Sequence, residues 1–187
     1  MTEYPSLEEI KNHYLMEIEE GNSNAVYNLG YYYEEKQEYE EMKKYYLMAI
    51  EKGDSYAMYN LGKYYKEIKQ YEEMKKYYLM AIEEGDSDAM FNLGNYYKEI
   101  KQYGKMKKYY LMAIEKGDSD AMYNLGNYYK EIKQYDEMEK YYLMAIEKGN
   151  EYAMHNLEIY NTEIKVYEDI KKKIYSFFNS ILHNFII

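Results

Sequence analysis

Glycine returns every 32 residues along this chain, at Gly21, Gly53, Gly85, Gly117 and Gly149. A chain that repeats itself at such a spacing is built from one supersecondary unit copied along its length, and a unit that small closes a core only by stacking on its neighbours. Asn-Leu-Gly keeps the same register at Asn28-Leu29-Gly30, Asn60-Leu61-Gly62, Asn92-Leu93-Gly94 and Asn124-Leu125-Gly126, then degrades to Asn156-Leu157-Glu158. Tyr-Tyr-Leu-Met-Ala-Ile starts at Tyr45, Tyr77, Tyr109 and Tyr141, with a relic at residues 13–18. Stretches 77–103 and 109–135 differ only at Glu84 against Lys116 and Phe91 against Tyr123.

Each copy divides into two helical patterns. In the fourth, Ala121, Met122, Leu125, Gly126, Tyr129 and Ile132 form the apolar stripe of a first helix, and Tyr135, Met138, Tyr142, Ala145 and Ile146 form the matching stripe of a second. The short polar turn Lys133-Gln134 between them predicts an antiparallel pair. Gly149 is placed for a left-handed helix C-terminus, and Asp54, Asp86, Asp118 and Asn150 can cap the helices that follow. Ser6-Leu7-Glu8-Glu9 is a capping box that opens an N-terminal helix. The fold expected is all-α, a right-handed α-solenoid of stacked antiparallel helix pairs with a 32-residue period. The array spans 1–187 as a single domain: an N-terminal half-repeat helix (1–21), full repeats 22–53, 54–85, 86–117 and 118–149, and a diverged terminal repeat with an extended apolar C-terminal helix (150–187).

Composition sets what the core is made of and which chemistries are absent. Apolar residues are 47% of the chain with its 31 Tyr included; without them the share falls to roughly 30%, so the interior is expected to be phenolic rather than aliphatic. No Cys is present, which removes disulfides, thiolate metal sites and thiol nucleophiles. The basic residues are all Lys, 24 against 34 acids, for a net charge of −10. An acidic surface without Arg repels phosphate backbones and lacks the bidentate fork that reads guanine or carboxylates, so nucleic acid is not an expected partner.

The N-terminus, Met1-Thr2-Glu3-Tyr4-Pro5, lacks the charged and apolar regions of a secretory signal, so an intracellular and cytoplasmic protein is expected. The uncharged C-terminal stretch 174–187 is too short and too interrupted by polar side chains to span a bilayer, and a membrane partner is not expected.

At Tyr123-Asn124-Leu125-Gly126-Asn127-Tyr128-Tyr129, followed by Tyr135, Met138, Tyr142 and Ala145, the sequence resembles the tetratricopeptide repeat family. The linker Ala145-Ile146-Glu147-Lys148-Gly149-Asn150 is instead similar to Sel1-like repeats, and Ala113 to Leu125 is two residues shorter than the tetratricopeptide spacing, without Pro. The resemblance covers about residues 7–170. It implies a scaffold that binds peptides or protein surfaces along the concave face lined by first helices. The family's clamp for chaperone C-terminal carboxylates is not implied, because Phe91, Tyr123, Asp88 and Asp120 stand where that clamp has basic residues.

The edge of each first helix opposite the stripe carries the candidate partner-binding residues. They are an aromatic ladder of Tyr27, Tyr59, Phe91 and Tyr123, and an amide ladder of Asn28, Asn60, Asn92, Asn124 and, in the terminal repeat, Asn156, with Asn95 and Asn127 beside it. A carboxamide both donates to and accepts from a peptide backbone, so it can hold an extended chain; it can equally bridge neighbouring helices. Rigid Tyr rings give contact area at low entropic cost, and if these rings are exposed, Tyr59→Ala with Tyr123→Ala leaves stability intact. Lys66, Lys98 and Lys130 sit at the rim, each followed by Glu67, Glu99 or Glu131, so the local field is near neutral. A row of Met16, Met48, Met80, Met112 and Met144 on the second helices suits either an adaptable surface or packing between repeats.

The terminal repeat has Glu158 where its sisters have Gly and continues apolar through Ile174, Phe177, Phe178, Ile181, Leu182 and Phe185. That stripe either folds over the last repeat or seals a homodimer, with Phe177, Phe178, Ile181, Leu182 and Phe185 as the self-association residues and membrane contact as the remaining reading. A self-assembling structural protein is thus the alternative to a peptide-binding scaffold. Catalysis is not expected. His13, His155 and His183 lie in distant units, no Gly-rich phosphate loop or nucleophile elbow is present, and near-identical copies do not build one unique constellation. No cofactor or metal is expected.

Overall fold

The computed structural model describes residues 7–185, except for the side chains of Leu7, Ser23, Glu168, Asp169 and 176–185. Within that span the chain forms helices α1 (Leu7–Glu19), α2 (Ser23–Glu35), α3 (Tyr39–Ile50), α4 (Ser55–Glu67), α5 (Tyr71–Glu83), α6 (Ser87–Glu99), α7 (Tyr103–Glu115), α8 (Ser119–Glu131), α9 (Tyr135–Glu147) and α10 (Glu151–Phe185), with no strand among the described residues. The chain divides into two compact units, Met1–Met112 and Ala113–Ile187. In the first, α2 pairs with α3 and α4 with α5, α6 packs against the first part of α7, and α1 lies on α2. In the second, α8 pairs with α9, and α9 packs on α10.

Capping residues set where the helices begin. The carboxylates of Asp54, Asp86 and Asp118 accept from the backbone N–H of Ala57, Ala89 and Ala121 at 2.9, 2.7 and 2.8 Å. Asn150 accepts from Ala153 N–H at 3.0 Å, and Asn22 from Asn24 N–H at 3.1 Å. Each such bond satisfies an orphan helix donor and is worth about 1 kcal/mol. Gly53, Gly85, Gly117 and Gly149 end the preceding helices at φ between 83° and 89°, the left-handed region that lets their N–H groups bond back into the last turn.

The turn inside each hairpin is stranger than its sequence suggests. Gln37, Lys69, Lys101 and Lys133 all take φ of 57–59° without being glycine. Their strain of roughly 1–2 kcal/mol is offset by bonds such as Lys133 N–H to Lys130 O and Gln134 N–H to Tyr129 O.

The core is phenolic. Tyr46, Tyr78, Tyr110 and Tyr142 are its largest fully buried side chains, packed with Met42, Met74, Met106 and Met138 and with Leu29, Leu61, Leu93 and Leu125. Each of these Tyr rings lies over a helix glycine: a Cβ on Gly30, Gly62, Gly94 or Gly126 would sit 2.6 Å from Cδ1 of Tyr46, Tyr78, Tyr110 or Tyr142. Only a residue without a side chain lets the ring come so close.

Two stripe positions read from the sequence are corrected. Ile132 is 43% exposed, because α8 ends at Glu131 and Ile132 follows as its cap. Tyr135 is 41% exposed and stacks on Tyr160 at 5.1 Å, so it covers the neighbouring helix rather than the interior of its own pair. The buried slot that the periodicity missed is the first Tyr of the second-helix Tyr-Tyr pairs at Tyr77, Tyr109 and Tyr141; Tyr45, in the first copy, is half-buried. Tyr141, for one, lies parallel to Tyr129 with ring centroids 5.5 Å apart and only 4° between planes.

Candidate functional site

The aromatic ladder is half-buried rather than free. Tyr27 stacks on Tyr46 at 5.9 Å, Tyr59 on Tyr78 at 5.9 Å, Phe91 on Tyr110 at 6.0 Å and Tyr123 on Tyr142 at 6.1 Å. One face of each ring therefore belongs to the core and the other edge to the surface. Burial pushes the Tyr27 and Tyr59 phenols above their usual range. Truncating these rings removes core stacking along with surface, so the expectation that Tyr59→Ala with Tyr123→Ala leaves stability intact does not hold.

From Asn60 onward the amide ladder makes internal bonds through one end of each side chain. Asn60 Nδ2 donates to the Tyr27 hydroxyl at 3.0 Å, Asn92 to Tyr59 at 3.3 Å and Asn156 to Tyr123 at 3.2 Å, each bond joining consecutive first helices. Asn92 and Asn124 also donate to the backbone carbonyls of Asp88 and Asp120 at 2.9 Å. Asn95 and Asn127 work from the other end: their Oδ1 atoms accept from the buried hydroxyls of Tyr110 and Tyr142 at 2.6 Å. These bonds fix the orientation of the amides of Asn60, Asn92, Asn95, Asn124, Asn127 and Asn156. Among the described residues the Oδ1 of Asn92 and Asn124 and the Nδ2 of Asn95 and Asn127 are left without partners. On α6, and again on α8, an open acceptor and an open donor thus stand one helical turn apart on one face.

In the first copy Tyr46 donates instead to Glu34, in a short bond. The second copy has no substitute. Lys63 stands where its sisters carry Asn95 and Asn127, and turns away to Glu34 at 3.6 Å. The Tyr78 hydroxyl is left buried without a partner. Supplying the missing acceptor is expected to matter more than the exposed ion pair it replaces, so Lys63→Asn should raise stability by about 1 kcal/mol. A denaturant titration checks this, and an unchanged midpoint would mean that water already serves the hydroxyl.

Lys66, Lys98 and Lys130 are half-buried at the rim, with Glu67, Glu99 and Glu131 exposed beside them. Asn28 lines a cleft of 340 Å³ with Ile10, Tyr14, Tyr31 and Tyr32. In the methionine row Met16 and Met48 are exposed, while Met80, Met112 and Met144 are half-buried. The side chains of Phe177, Phe178, Ile181, Leu182 and Phe185 lie outside the described residues, although the backbone of α10 continues to Phe185. Among the described residues no three His, Asp or Glu side chains come together as a metal site. No helix there is long and apolar enough to cross a membrane.

The model of a tetratricopeptide repeat matches residues 23–51, 55–84, 87–115 and 119–147, more than half of the chain. The chain belongs to the tetratricopeptide repeat family. Tetratricopeptide repeat proteins are protein–protein interaction scaffolds, and each match covers one helical pair described above. Among solved structures, a Sel1 repeat protein from Oxalobacter formigenes is 26% identical over 81% of this chain and 69% of that one, with a TM-score of 0.67. A protective antigen of uropathogenic Escherichia coli with an SLR fold is also 26% identical, with a TM-score of 0.65; the match covers 76% of this chain but only 34% of the antigen. YrrB, described as a tetratricopeptide repeat protein with an unusual peptide-binding site, shares 23% identity over 81% of this chain and 84% of its own, with a TM-score of 0.55, and shows likeness of fold. No curated protein matches the chain.

Asn at the two first-helix positions is visible in the sequence. Which end of each amide is occupied depends on the neighbouring Tyr hydroxyls, and those come from other helices.

Proposed function

We propose that this chain is a non-enzymatic scaffold that binds extended peptide through an amide pair on a first helix of each compact unit, Asn92 with Asn95 on α6 in the first and Asn124 with Asn127 on α8 in the second. The observation that carries this reading is the pairing of an open amide acceptor with an open amide donor on each of these helices, the complement of a peptide unit's N–H and C=O. Internal hydrogen bonds already hold the amides in place, so a ligand meets pre-organised groups and little side-chain entropy is lost on binding. Phe91 and Tyr123, each half-buried one residue before the amides, give the peptide side chains an apolar edge. Tyr59 with Asn60, and Tyr27 with Asn28, extend the surface toward the N-terminus with fewer open amide groups. Lys66, Lys98 and Lys130 at the rim add donors without a strong net field. YrrB's peptide-binding description supports the reading as an analogy of fold.

The test uses peptides selected from a displayed random library on the full chain. Asn124→Ala removes the open acceptor, and the only bond it loses is the one to a carbonyl of its own helix. Affinity should fall roughly tenfold or more while the unfolding midpoint stays nearly fixed. Binding unchanged in Asn124→Ala, or selection of no peptide at all, removes the proposal.

A further inference from the structure

The 32-residue register runs on past the last Gly, into a helix pair that the structure does not fold. Tyr167, Ile170 and Ile174 stand 32 residues after Tyr135, Met138 and Tyr142, and Lys165-Val166 stand at the turn Lys133-Gln134. Yet α10 passes straight through Lys165 and Val166 as one helix of 35 residues, and the left-handed turn seen at Lys133 has no counterpart there. The cost is visible on both halves. Met154 is 46% exposed where its equivalent Met122 is 3%, because no second helix covers it. Ile170 and Ile174 are 51% and 50% exposed where Met138 and Tyr142 are fully buried. A cleft of 320 Å³ on α10, lined by His155, Glu158, Ile159, Thr162 and Glu163, lies at positions 32 residues on from those where α8 receives Tyr142, among them Tyr123, Gly126 and Asn127.

Two pairs of changes keep the halves complementary. In the fourth repeat the Gly126 backbone accepts the Tyr142 ring; in the last, Glu158 brings a Cβ and Ile174 brings a shorter side chain that leaves room for it. Tyr129 stacks on Tyr141; their equivalents are Asn161 and Lys173, an amide acceptor and an ammonium donor that would meet in a folded pair. A surface left to drift has no reason to change both members of a contact in the same sense.

We propose that the open face of residues 154–163 is a docking slot whose occupant is this chain's own segment 167–175, which folds back about Lys165-Val166 to complete the last helical pair. The slot continues the interface that α9 makes with α8. The geometry of a straight helix selects this occupant over a second copy. Glu158 and Ile174 are 16 residues apart, so at about 100° per residue they point to sides about 160° apart. Two straight copies lying side by side in a twofold pair therefore cannot bury both faces, whereas a fold at the hinge turns them toward each other. Lys165 is the residue type that already takes the left-handed turn at Lys69, Lys101 and Lys133. The open and closed forms then differ in what they present: the open helix exposes Met154 and Ile174, and the closed one hides both. This inference concerns the end of the chain and does not depend on the peptide-binding reading.

Because the chain has no Cys, Glu158→Cys with Ile174→Cys reports closure directly. In the straight helix the two positions are about 24 Å apart and cannot bridge. In the closed pair they adopt the contact of Gly126 with Tyr142. Mild oxidation of the full chain, followed by non-reducing electrophoresis and light scattering, should give an intramolecular disulfide at the mass of one chain. Adding Lys165→Gly, which eases the left-handed turn, should speed its formation several-fold. Both Cys positions are exposed in the open helix, so circular dichroism should show the variant folded before oxidation. A disulfide only between chains would give the slot to a second copy and overturn the proposal. So would free thiols persisting under oxidation, or a bridging rate that Lys165→Gly leaves unchanged.

Discussion

Raising the pH above about 10 should unfold this protein cooperatively, because its largest buried side chains are phenols. Tyr46, Tyr78, Tyr110 and Tyr142 are fully buried, and burial pushes each of their ionisations above the ordinary phenol range. At Tyr46 the neighbouring Glu34 carboxylate, which accepts its proton in a hydrogen bond, adds to the rise. The unfolded chain ionises its phenols near pH 10, while the folded chain keeps these four protonated. The unfolded state therefore binds fewer protons, and stability falls as pH rises. The contribution is fully present below about pH 10 and is lost between there and the raised folded values. Each phenol removes about 1.4 kcal/mol per pH unit between its unfolded and folded values, so while all four are in that window they remove about 5 kcal/mol per unit, a large share of an ordinary stability. The check is a pH series of helical circular dichroism beside phenolate absorbance. Exposed rings should titrate gradually, and the buried four should ionise only as helicity collapses. Tyr142→Phe should lower the pH slope by about a quarter. Helicity that persists while every phenolate forms would show that the rings ionise in place.

Gly126→Ala should cost about 3 kcal/mol, the upper part of the range for overpacking. The new Cβ would lie 2.6 Å from Cδ1 and 2.7 Å from Cε1 of Tyr142, whose ring is fully buried and hydrogen-bonded to Asn127 at its far end, so it cannot swing aside. Tyr142→Ile in the same chain should recover part of the loss, because a shorter side chain vacates the space. The pair should therefore be clearly non-additive in a double-mutant cycle. Gly104→Ala is the control: a Cβ there meets nothing within 4 Å, and the substitution in the first turn of α7 should gain about 0.5–1 kcal/mol from helix propensity. Equal and small effects at Gly126 and Gly104 would mean that the close ring–backbone approach is not a constraint on the fold.

The helices, their caps and the identity of the core were legible because each follows from neighbours in the chain. Asp118 caps α8 through a residue three positions on, and Gly149 takes its left-handed conformation at the end of its own helix. The candidate site was legible only in outline. Asn92, Asn95, Asn124 and Asn127 stood out by spacing, but a carboxamide has two ends, and which of them faces outward is set by hydroxyls on other helices. The same limit hid Tyr141, whose burial comes from stacking on Tyr129, and misplaced Tyr135, whose ring covers the next helix rather than its own pair. The turn residues went unnoticed for another reason: a positive φ is normally written in glycine, and here four turns place Gln or Lys in it and rely on hydrogen bonds to hold them.

By itself, then, the sequence determined the repeating helical hairpin, its tetratricopeptide character and a core of tyrosine, because periodicity, capping and composition act over a few residues or by simple recurrence. Tertiary structure alone decided which phenols are sealed from water, which amide ends carry internal hydrogen bonds and that the last repeat runs on as a straight helix. Each of these depends on where a second helix arrives. That is a matter of packing between segments far apart in the chain, and no local pattern of residues encodes it.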